Sequence, residues 1–320
     1  MKKKNKTLIY IILFFSFLIL APSAIARFTA MKDFKGAIDV NNHPCNTPPK
    51  TIKSMGREFE VKTCPPNFDE SAHTNEGMYM TEDDDGESYY YRGLADNWVS
   101  FGGYYWRIIR INGDGSIRIL YTGTKSKHSG VDGIVGKTVY TTQKIEQNAN
   151  YRTSKLKEAT DNWYRSNIQG KSFASKIADS GFCNDMTRIG QYSFGPGLRV
   201  CSKGEPSLKC PEKDRDFLTK ANNKLSYPVG AITLDEIAFA GTYRCGFVNE
   251  DIYLSLGIYG AFWSLSPTYG GNSCAVGAYS IGASSFSADA ERGVRPVINL
   301  KSTVTITSGD GTEGNPYIIN

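Results

Sequence analysis

The sequence predicts an α+β domain in which short antiparallel strands accompany two or three helices, braced by disulfides. Three observations lead to this class. From residue 89 onward, short aromatic and β-branched runs alternate with turn residues, as in strand-built domains. Few stretches have helical periodicity with clear start and stop signals. Seven cysteines follow a secretory leader, and cysteines in exported proteins usually form disulfides.

The first 26 residues have the features of a secretory signal. Four lysines precede an apolar run from Leu8 to Ala21, and Ala24 and Ala26 form a small-x-small cleavage site. The apolar run is shorter than the roughly 20 residues that a membrane-spanning helix needs. We expect cleavage after Ala26, and the alternative is an uncleaved N-terminal anchor. In both cases the remaining chain works in the extracellular space or on the outer face of the cytoplasmic membrane.

The charge of the chain lies largely in this leader. The whole sequence carries a formal charge of +5, and removing residues 1–26 with their four lysines leaves about +1. No cluster of Lys and Arg remains that would indicate a nucleic-acid partner. The hydrophobic content of 40% is enough for one sizeable core.

The seven cysteines suggest three disulfides and one remaining thiol. Proximity in sequence favours Cys45–Cys64, one pair within the group of Cys183, Cys201 and Cys210, and Cys245–Cys274. Our disulfide candidates are Cys45, Cys64, Cys183, Cys210, Cys245 and Cys274, although spacing alone does not determine connectivity. Metal ligation is disfavoured because the chain has no CxxC motif and its three histidines are isolated. We therefore predict no metal site and no cofactor.

Residues 27–88 look like a small extension that contains cysteine and proline and ends in an acidic linker. The acidic run Glu82–Glu87 supplies closely spaced carboxylates of the kind that bind calcium. The run does not match the twelve-residue calcium loop, so a solvated linker is the better interpretation. The main domain is then expected over residues 89–320.

A β-hairpin is predicted at the start of the main domain. Tyr104–Ile111 and Ser116–Tyr121 are β-rich runs that flank the tight turn Asn112–Gly115. Both runs are apolar on nearly every other position of both faces. This pattern is typical of strands inside a sheet rather than at its edge.

Helices are predicted in two regions of the main domain. Ser154–Ile168 has apolar residues on one face, and Lys171–Ser180 continues as a second short helix. Further along, Thr233 and Glu236 form a capping box at the start of a helix that Gly241 ends.

Short strands are predicted in the rest of the chain. Tyr227–Ile232 is one, and Phe262–Pro267 and Gly293–Leu300 are apolar strands in the last third. Val304–Ile306 and Tyr317–Ile319 form a terminal hairpin. Within these strands Phe262 and Trp263 are expected in the core. Arg295 is expected to be buried in an ion pair with Glu236 or Asp235.

The chain between Tyr259 and Asp289 has the composition of a recognition surface. Tyrosine, serine, glycine and asparagine supply rigid rings and adaptable hydrogen bonds in binding loops. The alternative is that Tyr269, Tyr279 and Phe286 pack into the core. The candidate ligand-binding residues are Tyr269, Asn272, Tyr279, Ser284, Ser285, Phe286 and Asp289.

Four motifs follow one another along the main domain: Phe182-Cys183-Asn184-Asp185, Thr233-Leu234-Asp235-Glu236, Trp263-Ser264-Leu265-Ser266-Pro267 and Val294-Arg295-Pro296-Val297-Ile298-Asn299-Leu300. Their order resembles that in an extracellular domain family of low-GC Gram-positive bacteria that has no established activity. The late strands are in turn similar to the C-type-lectin-like scaffold shared by sulfatase-modifying-factor proteins and variable receptor-binding proteins. This resemblance implies a compact mixed sheet with two helices that supports irregular ligand-binding loops.

Catalysis is not expected from the sequence. Sulfatase-modifying relatives oxidise a cysteine with a pair of reactive cysteines, but Cys245 and Cys274 are 29 residues apart and a disulfide explains them equally well. There is no G-x-S-x-G motif. Asp235 and Glu236 are adjacent on a helix, so their side chains diverge and cannot flank one bond. We assign no catalytic residue.

We therefore expect a bacterial, exported or surface-tethered protein that binds an extracellular glycan or protein without catalysis. The first alternative is a structural or assembly component of a cell-surface complex. The second is a cryptic enzyme related to the sulfatase-modifying oxidases. No nucleic acid is expected as a partner, and a membrane only through an uncleaved N-terminal segment. Calcium is possible as a cofactor, but no specific motif indicates it.

Overall fold

An eleven-stranded mixed sheet forms the centre of the structure. The chain divides into two units, Met1–Asn46 and Thr47–Asn320, and every described residue lies in the second. The expected leader and Cys45 lie outside the described residues. The computed structural model describes residues 47–125, 133–142, 150–190, 193–211, 216–219, 225–242, 252–254, 261–268, 273–278 and 283–320.

The described residues form short strands throughout the chain. In chain order they are β1 (Lys50–Ser54), β2 (Arg57–Lys62), β3 (Asn75–Glu82), β4 (Glu87–Gly93), β5 (Trp98–Phe101), β6 (Tyr104–Ile111), β7 (Ile117–Gly123), β8 (Lys137–Thr138), β9 (Ile177–Ala178), β10 (Phe182–Cys183), β11 (Arg188–Ile189), β12 (Ser193–Phe194), β13 (Asp216–Phe217), β14 (Ser273–Ala278), β15 (Ala283–Ser287), β16 (Arg292–Gly293), β17 (Val297–Leu300), β18 (Ile306–Ser308) and β19 (Tyr317–Ile319).

The large sheet has the strand order β1-β2-β3-β4-β6-β5-β19-β18. Strand β7 pairs with β6 and β17, and β9 pairs with β17. Most pairs are antiparallel, whereas β2–β3 and β5–β19 are parallel. Four two-stranded sheets, β10–β13, β11–β12, β14–β15 and β8–β16, complete the described strands. The protein is therefore of the α+β class and mainly β.

Strands β6 and β7 confirm the predicted hairpin and its place inside the sheet. They pair antiparallel, with Ile111 opposite Ile117 next to the turn. Strand β6 also pairs with β4 and β5, and β7 with β17. Trp106, Ile108 and Ile119 are fully buried. Strands whose two faces are both buried have a nearly continuous apolar pattern, and β6 and β7 have this pattern.

Residues 50–88 continue the large sheet, where the sequence suggested a separate extension. Strand β2 pairs with β3, β3 with β4, and β4 with β6 in the hairpin region. Ile52 and Val61 are buried, while many intervening side chains of β1 and β2 are exposed. Charged edge strands of this kind resemble a polar linker in sequence because only one face contributes to the core.

The acidic run between β3 and β4 is a turn tied to the domain and not a linker, although its carboxylates other than Asp83 are exposed as expected. Asp83 is buried, accepts a hydrogen bond from the backbone N–H of Gly113 at 2.8 Å, and forms an ion pair with Arg110 at 2.8 Å. Asp84 Oδ2 accepts the backbone N–H of Cys210 at 2.8 Å. The carboxylates therefore fix the turn to the domain, a long-range pairing that a local charge pattern does not reveal.

Helix α1 (Lys155–Asn167) and helix α2 (Leu234–Phe239) confirm the two predicted helices. Ser154 caps α1 by accepting the N–H of Lys157. The capping box of α2 is present in full. The second short helix expected after α1 is a single 3₁₀ turn, Ser172–Lys176. Other helical turns are the 3₁₀ turn Tyr151–Thr153 and the π-helical turn Gly197–Lys203.

Residues 227–232 do not form the predicted strand. The only strand-like contact in this stretch is an isolated bridge between Gly230 and Val297. A Cβ on Gly230 would lie 2.2 Å from the ring of Phe182, so the backbone itself is packed against that ring. Close packing of a glycine against an aromatic side chain therefore replaces a strand ladder here.

The last third confirms the core residues and the terminal hairpin but not both predicted strands. Phe262–Pro267 forms only an isolated bridge from Phe262 to Gly293, and Gly293–Leu300 is divided between β16 and β17. Phe262 and Trp263 are fully buried, and Trp263 Nε1 donates to the carbonyl of Thr138 at 2.8 Å. Strands β18 and β19 pair antiparallel. Strand β19 then lies parallel to β5, which brings the end of the chain back beside residues 98–101.

Candidate functional site

The late segment, residues 269–289, is held at both ends by the core. Thr268, just before it, is fully buried, and its carbonyl accepts a backbone N–H at 3.0 Å. Ala288, near its end, is also buried, and its carbonyl accepts the backbone N–H groups of Tyr140 at 2.8 Å and Thr141 at 3.2 Å. The segment is therefore fixed to the core at each end.

Between these anchors the described backbone forms the antiparallel hairpin β14–β15. Cys274 lies opposite Phe286, and Gly277 lies opposite Ser284. The register shifts between Cys274 and Val276, as at a β-bulge. The structure shows no third strand paired with this hairpin among the residues it describes. Among the described strands, the hairpin is thus a two-stranded sheet apart from the large sheet.

The structure places only some of the predicted ligand-binding residues. Ser284 and Ser285 lie in β15, opposite Gly277 and Val276. Phe286 follows them in the same strand. Three candidates, Tyr269, Asn272 and Tyr279, lie outside the described residues.

Phe286 and Asp289 are described with their side chains. Phe286 is half-buried against the core, and the guanidinium of Arg292 stands 4.2 Å from its ring centroid. Such a distance is typical of a cation–π contact. Asp289 is exposed and accepts a hydrogen bond from Ser287. Phe286 therefore belongs partly to the core and partly to the surface.

A disulfide joins Cys183 to Cys210, 27 residues further along the chain. This is one of the pairs possible within the predicted group of three cysteines. Cys64 and Cys201 are disulfide-bonded as well. Cys64 is one of the disulfide candidates predicted from the sequence, whereas Cys201 is not. The structure describes no side chain for the remaining candidates Cys45, Cys245 and Cys274.

A cluster of four buried ionised side chains, the buried ion cluster, lies behind this disulfide. Glu236 Oε1 is 2.7 Å from Arg118 Nη1 and 3.1 Å from Arg110 Nε. Arg110 Nη1 is in turn 2.8 Å from Asp83 Oδ2. None of the four residues is more than 8% exposed. The cluster joins strands β6 and β7, helix α2 and the β3–β4 turn.

Glu236 is strongly held in its ionised form. Burial opposes ionisation, but the guanidiniums of Arg118 and Arg110 and the backbone N–H of Thr233 outweigh it, and the pKa of Glu236 falls to about 2. Its second oxygen accepts the N–H of Thr233 at 2.9 Å. Glu236 therefore caps α2 with one carboxylate oxygen and neutralises Arg110 and Arg118 with the other. Its lowered pKa means that the side chain is ionised at neutral pH.

Asp235 points to a different partner. Its two oxygens accept from Nε and Nη2 of Arg199, each at 2.8 Å. Burial raises the pKa of Asp235, and the Arg199 guanidinium counteracts that rise. Arg199 also pairs with Asp185 at 3.0 Å. As the sequence predicts, the side chains of Asp235 and Glu236 diverge, and they bind different arginines.

The expected ion pair of Arg295 is not formed. Arg295 is buried, but it donates to the carbonyls of Tyr121 at 3.2 Å and Leu254 at 2.8 Å. Neither Glu236 nor Asp235 is its partner, because each is bound by other arginines. Within the described ranges no carboxylate lies within 4.0 Å of Arg295.

Two small polar cavities adjoin the buried ion cluster. One has a volume of about 30 Å³ and the other about 20 Å³, and both touch Arg110, Cys183 and Leu208. Spaces of this size accommodate one or two water molecules. Among the residues described, no three His, Cys, Asp or Glu side chains converge to hold a metal ion.

Sequence reasoning missed this cluster, although a signal for it was present. Arg110 and Arg118 interrupt two strands whose pattern predicts burial on both faces. An arginine in such a position needs an acidic partner, because an unpaired buried charge is very costly. The identity of that partner depended on tertiary structure.

The fold and site define a disulfide-containing α+β protein that is mainly β. Comparisons with protein-family models, curated proteins and solved structures find no match to this chain. In the part of the chain that the structure describes, no helix is long and apolar enough to cross a membrane.

Proposed function

We propose that this chain is an exported or surface-tethered binding protein that recognises an extracellular glycan or protein through its late segment, without catalysis. The observation that carries the proposal is the hairpin β14–β15. It pairs with no other described strand, and buried Thr268 and Ala288 hold its two ends. A recognition loop on a rigid scaffold has this arrangement.

The composition of the late segment supports the same role. Its tyrosines, serines and glycines are the residue types that binding loops use for contact area and adaptable hydrogen bonds. The half-buried Phe286, with Arg292 over its ring, adds a partly accessible aromatic surface on β15. Aromatic rings of this kind stack on sugars and on apolar protein side chains.

We further propose that the scaffold is C-type-lectin-like. A mixed sheet, two α-helices and a disulfide are the features that this resemblance leads one to expect, and the described residues contain all three. In such a scaffold, a compact mixed sheet supports irregular ligand-binding loops.

The test is a binding measurement with a loop variant. The purified protein is screened against a glycan array and against envelope proteins of the producing cell, with calcium and with a chelator. The variant Tyr269→Ser/Tyr279→Ser is expected to lose binding at least tenfold, as loss of aromatic contact residues usually does. Ile189→Ser is the control, because Ile189 is an exposed large apolar side chain outside the late segment.

Each outcome has a defined meaning. Binding that the loop variant abolishes and the control keeps supports the proposal. Stable association with an envelope protein that neither variant affects would indicate an assembly component instead. A catalytic turnover that disappears in Cys245→Ser or Cys274→Ser would indicate an enzyme and overturn the proposal.

A further inference from the structure

Arg107 is a fully buried cation whose hydrogen bonds are incomplete. Its Nε donates to Asn97 Oδ1 at 2.5 Å and its Nη2 to the carbonyl of Ala95 at 2.8 Å. The guanidinium lies between two rings, 4.5 Å from Trp98 and 5.4 Å from Tyr253. The remaining nitrogen, Nη1, is buried and has no hydrogen-bond partner.

Arg295 is a second fully buried cation close to the first. Its Nη1 donates to the carbonyl of Leu254, the residue after Tyr253, and Phe262 lies 4.7 Å from its guanidinium. The charges of Arg107 and Arg295 repel each other across this site. Burial lowers the pKa of both guanidiniums to about 9, so both remain charged at neutral pH.

The contrast with the other buried arginines is clear. Arg92, Arg110 and Arg118 each contact a carboxylate. In the described part of the chain, Arg107 and Arg295 have no carboxylate within ion-pair distance. Backbone carbonyls and aromatic rings stabilise both guanidiniums, and the carboxylates of Asp96 and Glu313 act on Arg107 from beyond ion-pair distance. Among the described residues, no negative charge lies directly against either buried cation, which is a costly arrangement.

A second unpaired group lies at the same place. The hydroxyl of Tyr253 is buried, and it too has no hydrogen-bond partner. Burial raises the pKa of Tyr253 well above its ordinary value, so the hydroxyl keeps its proton and can donate. The contacting side chains of Arg107 and Tyr253 thus contain two unsatisfied donors. A water molecule could accept from them, and an anion would in addition place a negative charge directly against the guanidiniums.

We propose that Arg107, Tyr253 and Arg295 bind one small inorganic anion of the size of chloride. The anion accepts hydrogen bonds from Arg107 Nη1 and the Tyr253 hydroxyl, and the charge of Arg295 stabilises it. The site links strand β6 to the segment Ile252–Leu254, which the backbone bond from Tyr253 N–H to the carbonyl of Gly93 also holds at 2.9 Å. The anion is therefore part of the folded domain and independent of the proposed ligand.

The experiment measures unfolding of the whole protein in chloride and in gluconate, an anion too large for the site, at equal ionic strength. The midpoint of thermal unfolding is expected to rise with chloride concentration and to stay constant in gluconate, because a ligand that binds only the folded state stabilises it. A midpoint that is the same in both salts overturns the proposal. Soaking crystals with bromide would locate the anion by its anomalous scattering.

The variant Tyr253→Phe separates the anion from a purely structural explanation. If the hydroxyl is simply unsatisfied, removing it stabilises the protein equally in both salts. If it binds the anion, the variant shifts the chloride dependence to at least tenfold higher concentration. Tyr151→Phe is the matched control, because Tyr151 is equally buried but its hydroxyl bonds to Thr160. The control should keep the chloride dependence of the unaltered protein.

Discussion

The substitution Glu236→Gln tests whether the buried ion cluster stabilises the fold. Glutamine keeps the size of the side chain, and its carbonyl can still accept the N–H of Thr233 in the capping box. It removes the negative charge that Arg110 and Arg118 share, and the amide NH₂ group that replaces Oε1 cannot accept their hydrogen bonds. The perturbation therefore measures what one buried carboxylate contributes through its charge and its hydrogen bonds together.

The expected magnitude follows from the pKa of Glu236. The folded state lowers that pKa from 4.5 to about 2, and each unit corresponds to about 1.4 kcal/mol, which gives about 3 kcal/mol. Removing one partner of a buried ion pair costs about 3–5 kcal/mol in other proteins. We expect Glu236→Gln to lower the free energy of unfolding at pH 7 by about 3 kcal/mol.

The pH dependence provides an independent check with a defined sign. Because folding lowers the pKa of Glu236, its contribution is fully present above about pH 4.5 and is lost as pH falls through about 2. Stability of the unaltered protein should therefore decline across this window. In Glu236→Gln the decline should be smaller by the same amount.

The assay is urea-induced unfolding, followed by tryptophan fluorescence at several pH values between 2 and 7. Glu158→Gln is the control, because Glu158 is exposed in α1 and pairs only with Lys155 at the surface. Such a surface pair contributes little, about 0.5 kcal/mol. A loss below about 1 kcal/mol for Glu236→Gln, or an unchanged pH dependence, would refute the electrostatic argument.

Three further predictions concern single structural features, each measured by equilibrium unfolding. The variant Cys183→Ser/Cys210→Ser should lose about 3.5 kcal/mol, the chain-entropy value for a 27-residue separation, and equal stability of both forms would contradict this. Ser154→Ala should lose about 1 kcal/mol, because it removes the N-cap of α1, and Ser154→Asp should restore most of it. Trp263→Phe should lose about 1–3 kcal/mol, because it removes the hydrogen bond to the part-buried carbonyl of Thr138 and leaves a small cavity, and an unchanged midpoint would argue against that hydrogen bond.

Local patterns predicted the elements whose stabilising interactions are close in sequence. The β6–β7 hairpin is set by two β-rich runs around a tight turn, and the structure has it with Ile111 opposite Ile117. Helix α1 begins at its Ser154 cap, and α2 begins at its capping box. These signals act over three to ten residues, so they are visible without knowledge of the fold.

Features that depend on distant partners were predicted poorly. The local pattern of the β1–β4 region predicts an extension, because it does not indicate that β4 pairs with β6. The pattern of residues 227–232 predicts a strand, but in the structure Gly230 packs against Phe182 instead. The prediction that Arg295 is buried is confirmed, but the predicted ion pair with Glu236 or Asp235 is wrong, because Arg295 donates to backbone carbonyls.

In the candidate site too, local features are predictable from the sequence and long-range contacts are not. Composition singled out the late segment, and backbone pairing then showed that part of it is the separate hairpin β14–β15. Composition did not predict that Phe286 is half-buried under Arg292, because that contact depends on how β15 meets the residues after it. Its role in binding stays a prediction.

The α+β class, the central hairpin and both helices are predictable from the sequence, because turns, caps and periodicity are local signals. Which charges meet inside the protein depends on tertiary structure. Asp83, Arg110, Arg118 and Glu236 come from three separate parts of the chain, namely the β3–β4 turn, the β6–β7 hairpin and α2, and they meet only in the folded protein. A charged residue in a strand that is predicted to be buried indicates that an oppositely charged partner is needed. Which residue is that partner depends on the folded structure.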